Sequence, residues 1–413
     1  MIRRIGCFIL CTLATFWVLD VEAQFIGLRL PEGKKRVEIP FEVHNNLIIV
    51  PVRVNRSLPL KFILDTGVRS SILLDKDYAD LLGLEYLRKI TIAGVGDTKI
   101  VEAYVTNVAS VELPGTICEG QSILVLDSDS LDLKSHIGVE VHGIIGYEVF
   151  SRFVVEINYA LKRLVLYEKK YFKPRRSWSK VDIEILDTKP YARFPVWFNE
   201  DQALKAKLLI DTGASHALVL FEPTSPVIRL PEPNIHARLG QGLSGEIYGH
   251  LARIDYVKMG DYCLDEVIVS FPDEETYSDS LSVVKRNGTL GGEILSKYTV
   301  IFDYFDSKMY LKKNHKYNDS FEYNMSGIDF VAKGTELNRF VVNKIRPGSP
   351  AEEAGVKVND VILVVNGQRS KDYNLSQLYN LMNSREGRKI KIIVEREGLE
   401  KRLKFKFRLE REI

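Results

Sequence analysis

Short apolar runs and strict alternation of apolar and polar residues predict a protein built mainly of β-strands. Leu47–Val54, Val154–Ile157 and Leu164–Tyr167 are rich in Val, Ile, Leu and Tyr, and turn-forming residues bound them. Leu403–Leu409 alternates apolar with basic residues at every position, as a strand with one buried face does. Helical patterns are few, and Asp75–Leu82 is the clearest one in the first part of the chain.

The chain contains one long internal repeat, which decides its architecture. Lys61–Gly67 returns as Lys207–Gly213 after 146 residues, and Gly143–Phe150 returns as Gly288–Leu295 after 145 residues. A single one-residue gap reconciles the two offsets. Because each copy has a strand-rich pattern, the repeat predicts two all-β lobes.

We predict three folded units, at residues 24–170, 178–313 and 323–413. The first two units are the copies of the repeat. The third unit does not match them, since it has a strand at Phe340–Ile345, a Pro-Gly turn, a short helix, a further strand and a helix at Leu375–Met382. Two final strands complete this unit.

Composition excludes several classes of partner and site. The 413 residues include 57 Lys and Arg against 55 Asp and Glu, so nothing indicates nucleic acid or an anionic membrane as a partner. The seven His residues form no His-Glu-x-x-His motif, and we expect neither a metal site nor a cofactor. Cys118 and Cys263 occupy equivalent positions of the repeat, and we expect two buried thiols rather than a disulfide.

The N-terminus has the order of a secretory signal peptide. Arg3 and Arg4 precede an apolar stretch at residues 5–19, and Ala23 supplies a small residue before a cleavage point. We therefore predict a signal peptide at residues 1–23 and an exported protein, periplasmic or secreted. An uncleaved membrane anchor is the alternative reading. After cleavage no remaining segment is apolar enough to span a bilayer.

Two Asp-Thr-Gly motifs, Asp65–Gly67 and Asp211–Gly213, stand at equivalent positions of the repeat. One such motif alone is read most simply as a tight turn. Two copies related by a pseudo-twofold axis can bring the carboxyl groups of Asp65 and Asp211 face to face. Two close carboxyl groups share one proton, so one can accept a proton from water while the other donates to a carbonyl oxygen. We therefore predict a catalytic dyad.

The residues that follow each Asp fit a supporting role for the dyad. Gly67 and Gly213 let backbone N–H groups approach the carboxyl groups where a Cβ atom would obstruct them. Thr66 and Thr212 carry hydroxyl groups that can brace one lobe against the other.

With these motifs the chain resembles the pepsin and retropepsin group of aspartic peptidases. It resembles above all bacterial secreted members with two retropepsin-like lobes and a C-terminal PDZ domain. The resemblance implies two pseudo-twofold-related β-barrel lobes and an aspartic endopeptidase that acts on exported or envelope polypeptides as a monomer. It also implies that Ile144–Gly146 and Thr289–Gly291 pack behind the catalytic loops.

One departure from this group favours a second function. The second motif is followed by Ala214 and Ser215, as is usual in the group, but the first is followed by Val68 and Arg69. The alternative is therefore a catalytically weakened peptide-binding or scaffold protein that retains the fold.

Two glycine-bearing segments lie where this group carries its substrate-covering flaps. They contain Gly94 and Gly96 in the first copy, and Gly240 and Gly242 in the second. A hairpin there would hold an extended peptide and exclude water. Two ordinary hairpin turns are the simpler reading.

The third unit resembles a PDZ domain in the bacterial strand order. Gly327, Ile328, Asp329 and Phe330 correspond to the loop that receives a peptide carboxylate, and Leu375–Met382 corresponds to the helical wall of the groove. Asp329 replaces the usual second glycine. The resemblance implies a peptide ligand, with substrate docking or regulation as its role.

Overall fold

The computed structural model describes residues 27–92, 101–127, 132–242, 245–274 and 284–413. The predicted signal peptide and the flap candidates Gly94 and Gly96 lie outside these described residues. Within the described ranges, no helix is long and apolar enough to cross a membrane.

The first copy of the repeat folds mainly as antiparallel strands. Its strands are β1 (Gly27–Arg29), β2 (Arg36–Pro40), β3 (Glu42–His44), β4 (Leu47–Val54), β5 (Leu60–Leu64), β6 (Ile72–Leu73), β7 (Tyr86–Ile92), β8 (Val101–Ala109), β9 (Val111–Glu112), β10 (Ile117–Glu119), β11 (Gln121–Leu126), β12 (Gly143–Ile145), β13 (Val154–Asn158) and β14 (Arg163–Tyr167). Its helices are α1 (Lys76–Leu81), α2 (Leu133–Ile137) and α3 (Tyr147–Phe150). The predicted helix is confirmed as α1, and the side chain of Asp75 caps its N-terminus.

The second copy repeats this arrangement with longer hairpins. Its strands are β15 (Ser179–Asp182), β16 (Glu184–Leu186), β17 (Lys189–Trp197), β18 (Ala203–Ile210), β19 (Leu218–Leu220), β20 (Asn234–Gly242), β21 (Gly245–Met259), β22 (Tyr262–Pro272), β23 (Gly288–Leu290), β24 (Tyr298–Asp303) and β25 (Lys308–Lys313), and its helix is α4 (Gly292–Leu295). Cys118 is buried as predicted, but the prediction is wrong for Cys263, which is exposed because it lies beside the turn between β21 and β22.

The main sheets of the two copies have equivalent strand orders. The first runs β3-β4-β5-β12-β6-β11-β8-β7, and the second runs β16-β17-β18-β23-β19-β22-β21-β20. In both, a short apolar strand (β12 or β23) lies parallel to the strand that precedes the Asp-Thr-Gly motif. The equivalent strand orders support the predicted pseudo-twofold axis, which stays a prediction.

A third sheet joins the two copies. Its order is β15-β25-β24-β13-β14-β2, so each copy contributes three strands and β13 pairs with β24 at the seam. Glu156 pairs there with Ile301, its own counterpart in the repeat, since 301 − 156 = 145. The side chains of Phe150 and Phe302 pack edge to face near this seam, and both are fully buried.

The third unit is a separate sheet with two helices. Its elements are β26 (Ile328–Lys333), β27 (Arg339–Ile345), α5 (Pro350–Glu353), β28 (Val361–Val365), β29 (Gln368–Arg369), α6 (Leu375–Met382), β30 (Lys389–Glu395) and β31 (Leu403–Arg408). The sheet runs β26-β27-β28-β30-β31, which leaves β26 at one edge. The alternation of Leu403–Leu409 and the helical pattern of Leu375–Met382 thus predicted their elements correctly. The mainly β fold class is confirmed.

Candidate active site

The two Asp-Thr-Gly motifs begin where strands β5 and β18 end. The backbone N–H of Asp65 donates to the carbonyl oxygen of Ile145 at 2.9 Å, and that of Asp211 donates to Leu290, also at 2.9 Å. These carbonyls belong to β12 and β23, so each apolar strand extends its ladder into the loop that carries the carboxyl group. The strand pairing therefore fixes both loops at the same height in their sheets.

The two loops meet at their glycines. The N–H of Gly67 donates to Oδ1 of Asp65 at 2.6 Å, and the N–H of Gly213 donates to Oδ1 of Asp211 at 2.9 Å. A Cβ atom on Gly67 would lie 3.0 Å from Oδ2 of Asp211, and one on Gly213 would overlap the carboxyl group of Asp65. Each glycine therefore contacts the carboxyl group of the other motif, and the structure brings the two predicted site residues together.

The threonines lock the loops by reciprocal hydrogen bonds. The N–H of Thr66 donates to the hydroxyl of Thr212 at 3.1 Å, and the N–H of Thr212 donates to the hydroxyl of Thr66 at 3.0 Å. Each hydroxyl also donates across the interface, from Thr66 to the carbonyl of Ile210 at 2.7 Å and from Thr212 to that of Leu64 at 2.8 Å. Both threonines are fully buried, so these four bonds are shielded from water.

The electrostatics of the pair favour a protonated Asp65. Burial raises its pKa well above the usual range of a carboxyl group, and both the negative charge and the hydrogen-bonding side chain of Asp211 act in the same direction. The hydrogen bond from Gly67 and the positive charge of Lys189 oppose this shift and are outweighed. Such a pair can hold one proton between two carboxyl groups.

Two family profiles match the chain. The profile described as aspartyl protease matches residues 50–149, and the profile described as PDZ domain matches residues 341–396. The chain contains an aspartyl protease domain and a PDZ domain. The first match covers the central part of the first lobe, including Asp65, and the second covers most of the third unit.

Relatives are similar to this chain over part of their length. The carboxy-terminal processing protease CtpA of Bacillus subtilis is 25% identical over 140 residues, which are 34% of this chain and 29% of that protein. A probable CtpA-like serine protease of Staphylococcus saprophyticus is 30% identical over 130 residues, or 30% of this chain and 25% of that protein. The chain spans less than a third of the length of these relatives.

The profiles and the relatives agree on a peptidase and differ in catalytic type, because the aspartyl protease profile stands beside relatives named as serine proteases. Among solved structures, the basic 7S globulin from soybean aligns with a TM-score of 0.40 and 8% identity, over 69% of this chain and 97% of that one.

The two residues that depart from the aspartyl protease group, Val68 and Arg69, have partners other than the carboxyl groups of the dyad. Val68 packs against Gly146. A Cβ atom added to Gly146 would lie 2.6 Å from Cγ1 of Val68. Arg69 points to the second lobe, and its Nη1 lies 3.4 Å from Oδ1 of Asp187. The Arg69 side chain is 70% exposed, so this ion pair lies at the surface.

Several residues near the dyad were not predicted from the sequence. His216 is half-buried with its Nε2 shielded from water, and this burial lowers its pKa to about 4 although the charge of Asp211 opposes the shift. Burial also lowers the pKa of Arg286, again against the charge of Asp211. Burial raises the pKa of Tyr304 well above its usual range, and the charges of Asp65 and Asp211 reinforce the shift.

A departure from the repeat could have identified two of these residues. Ser70 stands at the position equivalent to His216, and Val141 at the position equivalent to Arg286. The second lobe thus has a titratable side chain near Asp211 at two positions where the first lobe has Ser70 and Val141. Nothing comparable marks Tyr304, whose counterpart Tyr159 is also a tyrosine.

The predicted second-lobe flap is a hairpin. Gly240 and Gly242 lie in β20, which pairs antiparallel with β21, and Gly242 stands opposite Gly245. Residues 243–244 at the turn lie outside the described residues, as do Gly94 and Gly96 of the first-lobe candidate. The covering of substrate by either segment stays a prediction.

The predicted carboxylate loop of the PDZ domain is partly strand. Gly327 lies in the turn with a φ of 77°, whereas Ile328–Phe330 already belong to β26. The carboxyl group of Asp329 accepts hydrogen bonds from the Tyr379 hydroxyl at 2.7 Å and from Nδ2 of Asn343 at 2.9 Å. The side chain that replaces the usual glycine is therefore bound within the domain.

A cavity of about 230 Å³ lies between the β20–β21 hairpin and the PDZ domain. The residues lining it include Arg238, Tyr248, Gly327, Asp329, Lys344 and Tyr379. Across the described ranges, no cluster of three or more His, Cys, Asp or Glu residues is arranged to hold a metal ion.

Proposed function

We propose that the chain is an aspartic endopeptidase in which Asp65 and Asp211 together activate one water molecule. The observation that carries the proposal is the reciprocal contact of Gly67 and Gly213 with the opposite carboxyl groups. Two equivalent strands deliver these groups to one place, and the threonine bonds hold them there. A dyad of this kind needs neither a metal nor a covalent intermediate.

The chemistry follows from the shared proton. Asp65 holds the proton because its pKa is raised, and it donates that proton to the oxygen of the scissile carbonyl. Asp211 accepts a proton from water as the water oxygen bonds to the carbonyl carbon. Asp211 then passes that proton to the amide nitrogen, a hydroxyl group of the tetrahedral diol returns its proton to Asp65, and the carbon–nitrogen bond breaks to leave a carboxylic acid and an amine.

We further propose exported or envelope polypeptides as substrates, with the PDZ domain in docking or regulation. The proposal of export rests on the signal-like N-terminus, and the peptide-binding role rests on the PDZ domain. The alternative, a weakened scaffold protein, was favoured by Val68 and Arg69. That support is reduced because Arg69 pairs with Asp187 rather than with the dyad.

The test is cleavage of a quenched fluorescent peptide library between pH 3 and 8 by protein beginning at residue 24. Asp65→Asn and Asp211→Asn should each lower turnover by at least ~1,000-fold, because Asn cannot share the proton. Asp75→Asn is the matched control, since Asn also caps helix α1 and the site is untouched.

Mixing the two inactive variants should restore no activity, because one chain supplies both carboxyl groups. Full turnover in the Asp65→Asn protein, together with labelling by a fluorophosphonate, would establish a serine nucleophile and overturn the proposal. Complementation on mixing would instead indicate a site shared between two chains.

A further inference from the structure

The PDZ domain has a groove of the kind that takes an extended peptide. β26 pairs with β27 on one side, and in the described part of the chain no strand pairs with its other edge. Helix α6 packs beside this edge, and its Leu375 and Leu378 are fully buried. The Tyr379 hydroxyl of α6 accepts from the N–H of Phe330 in β26 at 3.0 Å and bonds to the carbonyl oxygen of Phe330 at 3.1 Å, so a bound peptide must also replace this contact. A strand at the edge of a sheet next to an apolar helix is the geometry of strand addition, in which a peptide bonds to the edge and places side chains against the helix.

A segment of the first lobe lies against this groove. Helix α2 packs against β26. Gly138, which ends α2, touches α6 so closely that a Cβ atom there would overlap the side chain of Leu375. The hydroxyl of Ser376 also donates to Oδ1 of Asn45 at 2.9 Å and accepts the N–H of Asn45 at 3.2 Å. The first lobe therefore contacts both walls of the groove.

The second lobe faces the end of the groove near Gly327, across the cavity described above. Arg238 of the β20–β21 hairpin lies 3.2 Å from Nδ1 of His136 in α2, and its Nη1 lies 3.6 Å from Oδ1 of Asp329. The Arg238 side chain is only 11% exposed, and Glu246 holds its Nε at 2.9 Å. The same Glu246 accepts from Nζ of Lys344 at 2.6 Å. The ion pairs link the hairpin to the PDZ domain, and the hydrogen bond with His136 links the hairpin to α2.

We infer that residues 132–139 of the first lobe are the internal ligand of the PDZ groove, and that a peptide with a free C-terminus binds only by displacing them. The groove is thus occupied by the chain itself before any partner arrives. An external peptide can bind only those molecules in which the segment is released. Its apparent dissociation constant is therefore the intrinsic dissociation constant divided by the released fraction.

Displacement would also reach the dyad. The segment leads from Gly138 to β12 within five residues, and Ile145 of β12 accepts the hydrogen bond from the N–H of Asp65. A peptide that occupies the groove therefore releases the segment that leads into the strand behind the Asp65 loop. This inference goes beyond the proposed function, and binding tests it independently of peptidase activity.

The test is made in the full-length Asp65→Asn protein, because under the proposed mechanism this protein cannot cut the probe. Gly138→Asn is introduced into that protein. Asn tolerates the left-handed conformation of Gly138 (φ 79°), but its Cβ must push Leu375 away. Gly83→Asn is the matched control, because Gly83 has a φ of 67° and nothing lies within 4 Å of its Cβ position. Ser376→Ala is a milder second variant that removes only the hydrogen bonds with Asn45.

The probe is a fluorescein-labelled peptide ending in Val-Leu-Val with a free carboxylate, and its C-terminal amide is the negative control. Gly138→Asn should bind the probe at least ten times more tightly than the parent and Gly83→Asn, and Ser376→Ala two to three times more tightly. Hydrogen exchange should rise in residues 132–139 and 328–333 of Gly138→Asn, less so in Ser376→Ala, and not in Gly83→Asn. The inference would be overturned if hydrogen exchange in Gly138→Asn did not change. It would also be overturned if exchange rose but neither Gly138→Asn nor Ser376→Ala bound the probe more tightly.

Discussion

At the scale of single residues, the absence of a side chain matters as much as the presence of a carboxyl group. Gly67 and Gly213 are the points where the two loops touch, and each leaves room for the carboxyl group of the other motif. Any Cβ atom there must push a carboxyl group out of place. The dyad is therefore held as much by van der Waals exclusion as by hydrogen bonds.

Gly213→Ala tests this exclusion. The added methyl group overlaps the carboxyl group of Asp65, so we expect turnover to fall at least ~100-fold and the free energy of unfolding to fall by ~1–3 kcal/mol. Peptide cleavage and urea denaturation measure the two effects. Gly240→Ala has open space at its Cβ position and should match the wild type in stability. Equal behaviour of the two variants would contradict the contact.

The raised pKa of Asp65 predicts how stability depends on pH. A carboxyl group whose folded pKa lies above its unfolded pKa stabilises the fold fully below its unfolded value, and this contribution is lost as pH rises through the folded pKa. The amide introduced by Asp65→Asn has no proton to lose in this range, so that variant should melt above the wild type at pH 7–8. The difference should close towards pH 3. Melting curves across this range check it, and a difference independent of pH would contradict it.

Residues of the site were predictable from the sequence only where the repeat doubled the signal. Asp65 and Asp211 stand out because the same motif occurs twice at one offset. The partner of Arg69 could not be predicted, because Asp187 lies 118 residues away in a hairpin turn of the other lobe. His216 lies in the second motif loop, yet its burial depends on packing that the local pattern does not encode.

At the scale of elements, strand pairing places the loops and the threonines join them. The sequence predicted strands well where apolar residues form uniform runs, as in Leu47–Val54, because the run itself creates the buried strand. It did not predict helix α2, a single short turn of helix whose Leu133 and Ile137 pack on the first lobe. Its position depends on these contacts and on its contact with β26 of the third unit, which the local pattern cannot reveal.

A double-mutant cycle of Thr66→Val and Thr212→Val tests the link between loops. Each single change removes one hydroxyl and leaves buried partners without a bond, so each should cost ~1–3 kcal/mol in the free energy of unfolding. The double variant should cost clearly less than the sum, because the two hydroxyls serve one network. Urea denaturation measures all four proteins. Additive losses would show that the threonines act separately. Thr299→Val, in β24 away from the loops, is the control.

At the scale of the whole molecule, the PDZ domain is packed on both lobes rather than suspended from them. Arg253 of the second lobe donates through Nη1 to the carbonyl of Phe321, in the segment that leads into the PDZ domain. Phe321 and Tyr323 are buried. The sequence indicated a separable third unit, since its pattern differs from the repeat, but it contained no sign of these contacts.

Deleting the chain from residue 320 onward separates docking from catalysis. All strands that hold the dyad end before that point, so cleavage of short peptides should persist. The melting temperature should fall by several degrees because the faces that cover α2 and the β20–β21 hairpin are lost. Processing of long polypeptides should weaken, since the domain no longer raises their local concentration. A folded but inactive truncated protein would place the PDZ domain in the catalytic machinery.

The seam between the two copies has a consequence for synthesis of the chain. Strand β13 emerges early from the ribosome, but its partner β24 begins at Tyr298, about 140 residues later. Until then one edge of β13 is unpaired. In the finished protein this edge pairs with the equivalent strand of the second copy, and Glu156 stands opposite Ile301, its equivalent in the repeat. Two nascent chains on one messenger therefore offer each other the same edge that the finished protein closes internally. Rapid translation of residues 170–300 shortens that exposure, and slow translation there favours entanglement of neighbouring chains.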